Sequence, residues 1–584
     1  MCGLAGVFSP SRLSAEHANQ LQRMHEALQA RGPDGEGKWC DDKGFVTFAH
    51  RRLAVVDLSE AGAQPMHSLD KRFTIVFNGE IYNHVDLREM LQRDGVTFRG
   101  NSDTEVLLNL YARHGAGMCA LLRGMFALVI WDCHERSLFM ARDVFGIKPL
   151  YVHELNGTVR FASQVRALLA SGAVAPKTNP AAEAGYRLWG HVPEPASWIQ
   201  GINMLPPGTW CRWSCTGDLQ RGVFADLATL LSGDISPRKN HDSLRAALQD
   251  TVEAHLQADI PVGVFLSGGI DSATLASMVK SSGATLRTLT VGFEPYRGTS
   301  ADETPLAEAL AKQLGARHHT VWIGLQEFRD ALPKFLSDMD QPSLDGLNTW
   351  LVSRAAASVG LKVVLSGLGG DEFFGGYPSF HQLPRIRQLM RPFARLPWLG
   401  QAMREWLAPL LRRFTSEKYA GLAEFGSSWS GAYLLRRGVL MPWQLPWRGQ
   451  QIPGLPDQLP SLDDFGMVSW FESHLYMRNQ LLRDADWASM AHGVELRVPF
   501  VDMELVSFLA QSRRAGKTLR KQDLAACPLP PLPEAIRHRP KTGFTVPIRE
   551  FMSDTRDQGP ESRGLQAWQA KVWDAQSRAL EQLP

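Results

Sequence analysis

No apolar run in the 584 residues approaches the roughly 20 needed to cross a bilayer, so an integral membrane protein is not expected. The start of the chain, residues 1–10, has neither a basic stretch nor an apolar segment adequate for a secretory signal. Charge of one sign is also lacking. Against 62 Lys and Arg stand 60 Asp and Glu, and a formal net charge of +2 gives no reason to invoke nucleic acid or an anionic membrane as partner. Cysteine is scarce: seven residues at irregular spacing, with no CxxC pair, exclude a disulfide framework and a zinc-ribbon site. A reducing cytoplasm is the expected setting. Internal repeats and low-complexity tracts are absent.

What is present reads as a globular protein of more than one core, with 44% hydrophobic and 21% charged residues. Residues 45–48, 52–57, 73–77, 125–131 and 137–141 read as strands, and 86–93 and 103–114 as helices. The first part is therefore expected to be α+β, a sandwich of antiparallel sheets with helices. From 241 onward helices and strands alternate: helix 244–256, strand 260–266, helix 272–280, strand 286–293, helix 302–314, strand 319–322, helix 348–359 and strand 362–365. That order predicts an α/β doubly wound parallel sheet with its ligand at the carboxyl ends of the strands, followed by a helical C-terminal part. Expected boundaries are 1–175 for the first domain, 176–240 for a Pro- and Gly-rich connection, 241–560 for the second domain and 561–584 for a tail.

The loop Ser267-Gly268-Gly269-Ile270-Asp271-Ser272 lies between a buried strand and a helix start. Glycines let backbone N–H groups approach phosphate closely, and the helix N-terminus favours negative charge. It is not a Walker A loop, since no Gly-Lys-Ser/Thr follows. The string resembles the PP-loop of ATP pyrophosphatases. That resemblance makes Ser267, Gly268, Gly269, Asp271 and Ser272 candidate ATP-binding residues, and Asp271 a candidate magnesium ligand on the leaving pyrophosphate.

Cys2 follows the initiator Met and is flanked by the small Gly3. Once the Met is removed, its α-amine (pKa about 8) can serve as general base for its own thiol. Cys2-Gly3, Arg31-Gly32-Pro33-Asp34, His50-Arg51-Arg52-Leu53, Asn78-Gly79-Glu80-Ile81-Tyr82-Asn83 and Ser102-Asp103-Thr104-Glu105 follow in that order. The set resembles the N-terminal-nucleophile glutamine amidotransferase domain. It implies Cys2 as nucleophile and an oxyanion hole from the Asn78 side chain and the Gly79 N–H. Arg52 would hold the glutamine α-carboxylate, and Glu80 and Asp103 its α-ammonium.

The two halves in this order resemble class B asparagine synthetase. The resemblance adds Val291, Ser366 and Gly367 as nucleotide contacts, Asp371 as a second magnesium ligand, and Lys541, in Arg539-Pro540-Lys541-Thr542-Gly543-Phe544, as a catalytic cation at the adenylate. The implied reaction consumes glutamine, ATP and a carboxylate acceptor; keeping ammonia uncharged on its way predicts a packed inter-domain interface lined by apolar or small residues, and family resemblance makes a homodimer plausible. The pattern breaks at Leu368, where the family usually has glutamate, and at Trp487, where many relatives have arginine. These departures resemble asparagine-synthetase-like enzymes of bacterial surface polysaccharides. Aspartate and a different carboxylate such as a uronic acid are therefore both kept as acceptors. A catalytically silent nucleotide-binding scaffold is the reading from another class, and it predicts damaged site residues.

Overall fold

The computed structural model describes residues 2–414, 416–445, 452–539, 546–547 and 564–582. The N-terminal region holds two six-stranded sheets. In the first, Ile202–Met204, Tyr151–Leu155, Thr158–Ala162, Gly3–Phe8, Val46–Arg52 and Gly35–Cys40 lie side by side, antiparallel throughout. In the second the order is Leu219–Val223, Thr209–Ser214, Ser137–Arg142, Gly124–Asp132, Phe73–Ile81 and Met66–His67, also antiparallel. Period-two alternation turns Leu4, Phe8, Val46 and Phe48 of one sheet toward Val76, Val129, Trp131 and Met140 of the other, forming a dry core. Burial of each such side chain contributes about 1.5–3 kcal/mol.

Helices cover both outer faces. Leu21, Met24 and Leu28, on and just after helix Ala15–Ala27, pack on the first sheet. Leu87 and Leu91 of helix His84–Arg93, with Val106, Leu107 and Leu110 of helix Asp103–His114, pack on the second. Three of the twelve sheet strands fall between 202 and 223, inside the stretch read from sequence as a connection. The expected strand 52–57 ends at Arg52 instead. Asp57 takes a left-handed φ of 52°, and its carbonyl and that of Ser59 accept hydrogen bonds from the Arg52 guanidinium, which folds the chain back into a loop.

The second region is built on a five-stranded, all-parallel sheet ordered Arg317–Ile323, Arg287–Phe293, Val262–Phe265, Val363–Leu365 and Glu495–Arg497. Both faces are buried, as the continuous apolar runs require. Val363 and Leu365 pack with Leu248, Val252, Leu275 and Val279 on one face, while Val364 packs with Leu347, Trp350 and Leu351 on the other. The strand order doubles back at Val262–Phe265, so the crevice at its carboxyl end is the topological switch point. From Ser379 the chain is mainly helical, including a π-helical stretch, Glu472–Leu482, within a continuous run from Asp464 to Met490. Helix Leu565–Glu581 packs back onto the body, with Trp573 stacked on Tyr186 and Trp568 on Phe335.

Candidate active sites and the interface between them

Cys2 sits at the start of the first sheet, opposite strand Phe73–Ile81 of the second. Its backbone nitrogen donates to Asn78 Oδ1 at 3.0 Å, and its Sγ lies 4.0 Å from the Leu53 carbonyl. Burial pushes the Cys2 thiol pKa up. Asn78 is fully buried mid-strand, so Asn78-Gly79 is not a hairpin turn. Its Nδ2 is buried with no hydrogen-bond partner among the described residues. An amide whose oxygen is fixed and whose N–H₂ is unmet is a donor awaiting an acceptor. Gly79 is required by close approach, since a Cβ there would sit 2.0 Å from the Met125 carbonyl oxygen.

Asp103 is not the cap of its helix; that role falls to the Ser102 hydroxyl, which accepts from the Glu105 N–H. The Asp103 carboxylate instead accepts from the Ile81 N–H at 3.1 Å, next to Glu80 on the same strand. Burial raises the pKa of both carboxyls, and for Glu80 the nearby Glu495 adds to the effect. Arg497, fully buried at the last strand of the parallel sheet, lies 3.5 Å from Glu80 and 2.6 Å from Glu495. It also donates to the carbonyls of His255 and Gln257. Nothing in the sequence singles out Arg497, which stands 417 positions along the chain from Glu80.

The second centre forms where two glycine-bearing loops leave adjacent strands. Ser267 and Ser272 hydroxyls are 2.9 Å apart, and the Gly269 N–H donates to Ser267 Oγ at 3.2 Å, at the start of helix Ile270–Ser281. A Cβ at Gly367 would meet Asp271 Cβ at 2.8 Å, and one at Gly370 would meet Asp271 Oδ1 at 2.5 Å. Ser366 is held by its N–H on the Arg497 carbonyl. Val291 is buried on the neighbouring strand. Lys521 Nζ ion-pairs with Asp271 and lies 3.0 Å from Asp371, so one cation bridges the two carboxylates. Nothing in the sequence marks Lys521, which sits in a polar run. Arg539 lies against Gly268 and pairs with Glu303 at 3.2 Å, which brings the start of the 539–544 segment to the loop. Lys541 itself lies outside the described residues.

Between the centres, Leu53, Tyr82, Met125, Phe145 and Ile147 of the first region share one core with Val264, Leu365, Phe373, Val498 and Phe500 of the second. Phe145 meets Phe373 of the 366–377 segment edge-on at 6.0 Å. The interface is not purely apolar: Arg31 holds Asp486 through two hydrogen bonds, with Lys148 3.8 Å from the same carboxylate. Trp487 is buried, its indole N–H on Asp484 at 2.8 Å. Leu368 packs against apolar neighbours.

A half-buried cysteine against an unmet amide on an antiparallel sandwich, fused to a glycine-lined crevice in a parallel sheet, defines a two-centre enzyme of the amidotransferase class. Residues 1–222 match the glutamine amidotransferase domain and residues 243–560 the asparagine synthase family. Asparagine synthetase [glutamine-hydrolyzing] 1 of Bacillus subtilis is 32% identical over 579 residues, 95% of this chain and 88% of that protein. Asparagine synthetase [glutamine-hydrolyzing] 3 of the same organism is 28% identical over 540 residues, covering 87% and 80%. Asparagine synthetase B [glutamine-hydrolyzing] of Escherichia coli is 30% identical over 410 residues, 67% of each chain. The chain belongs to the asparagine synthase family.

Proposed function

We propose that the protein is a glutamine-dependent, ATP-consuming amidotransferase in which Cys2 frees ammonia and the parallel-sheet crevice activates the acceptor carboxylate. The observation that carries the first half is the buried, unmet Nδ2 of Asn78 beside Cys2. The Cys2 α-amine, freed by loss of the initiator Met, takes the thiol proton as the sulfur attacks the glutamine carboxamide and passes it to the departing nitrogen; the developing oxyanion takes hydrogen bonds from Asn78 Nδ2 and the Gly79 N–H. Ammonia leaves, and water releases glutamate from the thioester. Arg52, held by two backbone carbonyls, is preset for the substrate carboxylate, with Glu80 and Asp103 on the ammonium side.

In the crevice the acceptor carboxylate attacks the α-phosphorus of ATP and pyrophosphate departs; ammonia then attacks the acyl carbon and AMP leaves. Ser267, Gly268, Gly269 and Ser272 cradle the phosphates, and Ser366, Gly367 and Val291 border the nucleotide. Asp271 and Asp371 fit magnesium: their hard oxygens already share one cation, Lys521, and magnesium commonly takes one or two carboxylates plus substrate phosphates. When bound, it supplies positive charge to the departing pyrophosphate. Lys541 is assigned the charge at the adenylate.

Aspartate is the acceptor that the named relatives favour. Amidation of another carboxylate, such as a uronic acid, is favoured by Leu368 and by a cavity of about 240 Å³ beside Tyr476. Trp189, Tyr433 and Tyr476 give it aromatic walls. His191, kept neutral by burial with a pKa of about 3, and Gln480, 3.1 Å from its Nδ1, line it as well. Such a lining suits hydroxyl groups. Incubation with ATP, magnesium, glutamine and aspartate decides: asparagine with AMP and pyrophosphate supports the first reading. Glutamate alone with aspartate, but AMP with a uronic acid, supports the second. A cytoplasmic setting accords with seven unpaired cysteines; a homodimer rests on the family resemblance alone.

A further inference from the structure

The chain-wide charge of +2 conceals a local imbalance. Between residues 385 and 411 stand five arginines and a single acidic residue, Glu405. Arg404 and Arg387 are spent on Glu424 and Asp464. Arg385, Arg391 and Arg395 are exposed and make no ion pair with a described carboxylate. The same stretch carries helix Pro397–Phe414, which is fixed to the body by its inner face. Gly400 lies so close to Glu424 that a Cβ would stand 2.7 Å from the Glu424 Cα.

The opposite face is turned to solvent and should be polar on an ordinary surface helix. It is not. Trp398, Ala402, Trp406 and Leu410, at four-residue spacing, form one ridge, with Trp398 66%, Trp406 86% and Leu410 54% exposed. Leu389 and Leu396, in the approach to the helix, are exposed as well. Large apolar side chains gathered on one face mark a docking surface rather than scatter. Tryptophan and leucine on a ridge beside uncompensated arginines are the pattern of a helix lying in the headgroup layer of a bilayer. At 18 residues the helix is about 27 Å long, and no described helix is apolar enough to span a membrane.

We propose that this helix and the preceding arginines dock the enzyme peripherally on an anionic lipid surface. The tryptophans enter the interface, and Arg385, Arg391 and Arg395 meet lipid phosphates. The charge complement decides for lipid over a second copy, because a like patch would set those arginines against one another.

The test uses the full chain and flotation with vesicles of phosphatidylcholine alone or with 30% phosphatidylglycerol. The expected result is binding about a hundredfold tighter to the anionic vesicles, from three exposed arginines, and weakening with salt. Trp398→Ser/Trp406→Ser should lose at least about tenfold in vesicle affinity while glutamine hydrolysis is unchanged. Arg391→Glu/Arg395→Glu should lose the preference for anionic lipid. Failure to bind anionic vesicles, or equal binding by the tryptophan variant, overturns the proposal. A concentration-dependent dimer that the tryptophan variant dissolves, without vesicle binding, overturns it in favour of a second copy.

Discussion

The guanidinium of Arg31 grips both carboxylate oxygens of Asp486 at 2.7 and 3.0 Å while its Nε donates to the Cys2 carbonyl at 3.1 Å. One buried side chain thus ties the residue carrying the thiol to helix Arg483–Met490 of the other region. Both partners are almost wholly buried. Removing Asp486 leaves a buried guanidinium with only the Cys2 carbonyl, which costs about 3–5 kcal/mol, while removing Arg31 leaves Asp486 to Lys148 at 3.8 Å and should cost less. Arg31→Met and Asp486→Leu are each expected to lower the melting temperature clearly. Arg31→Met/Asp486→Leu should lose less than the sum of the two. Additive losses would mean the pair is not coupled.

Asn78→Ala should lower kcat for glutamine hydrolysis about 10²–10³-fold, the usual loss for one oxyanion donor. Amidation driven by added ammonium salt should be unaffected. A proportional fall in both rates would move Asn78 out of the glutaminase step.

Lys521 competes with any divalent ion for Asp271 and Asp371. Lys521→Gln removes the cation that the two carboxylates share, so the metal-free protein should melt lower than the parent. Added magnesium should then raise its melting temperature more than it raises the parent's. An equal response of both proteins would place the ion elsewhere.

Asp484 is a buried carboxyl whose pKa burial raises to about 7, against hydrogen bonds from Ser343 and Trp487. Its folded pKa lies above the unfolded value of about 3.9, so folding favours the protonated form. The penalty is absent below pH 4, grows between 4 and 7, and is full above 7. Asp484→Asn should therefore gain melting temperature relative to the parent as pH rises from 5 to 8. A pH-independent difference would show that Asp484 does not titrate in this range.

Much of the molecule was legible wherever local pattern and chemistry agree. Helix Asp103–His114 has its hydroxyl cap and its apolar stripe in sequence, and the alternation after 241 announced the parallel sheet. Motif strings led to Cys2, Asn78 and the 267–272 loop because each needs residues near in sequence. The hairpin of Tyr151–Leu155 and Thr158–Ala162 passed unread despite the signal of Asn156-Gly157, both at positive φ. Gly35–Cys40 was hidden by two glycines in a polar edge strand. What no local pattern could give is the set of long-range pairs: Arg31 with Asp486, Glu80 with Arg497, Lys521 with two aspartates. The first two exist only once both regions are folded against each other, and the third only once the second region has brought residues 250 and 150 positions apart together.

The most direct measurement separates the two centres in one experiment. Cys2→Ala and Asp271→Asn are each assayed for glutamate and AMP, with glutamine or ammonium chloride as nitrogen source and the acceptor carboxylate present. Cys2→Ala is expected to release no glutamate yet form AMP with ammonium chloride, and Asp271→Asn to release glutamate and form no AMP. Loss of both products in Cys2→Ala, with the protein still folded, would contradict a division of labour between thiol and crevice.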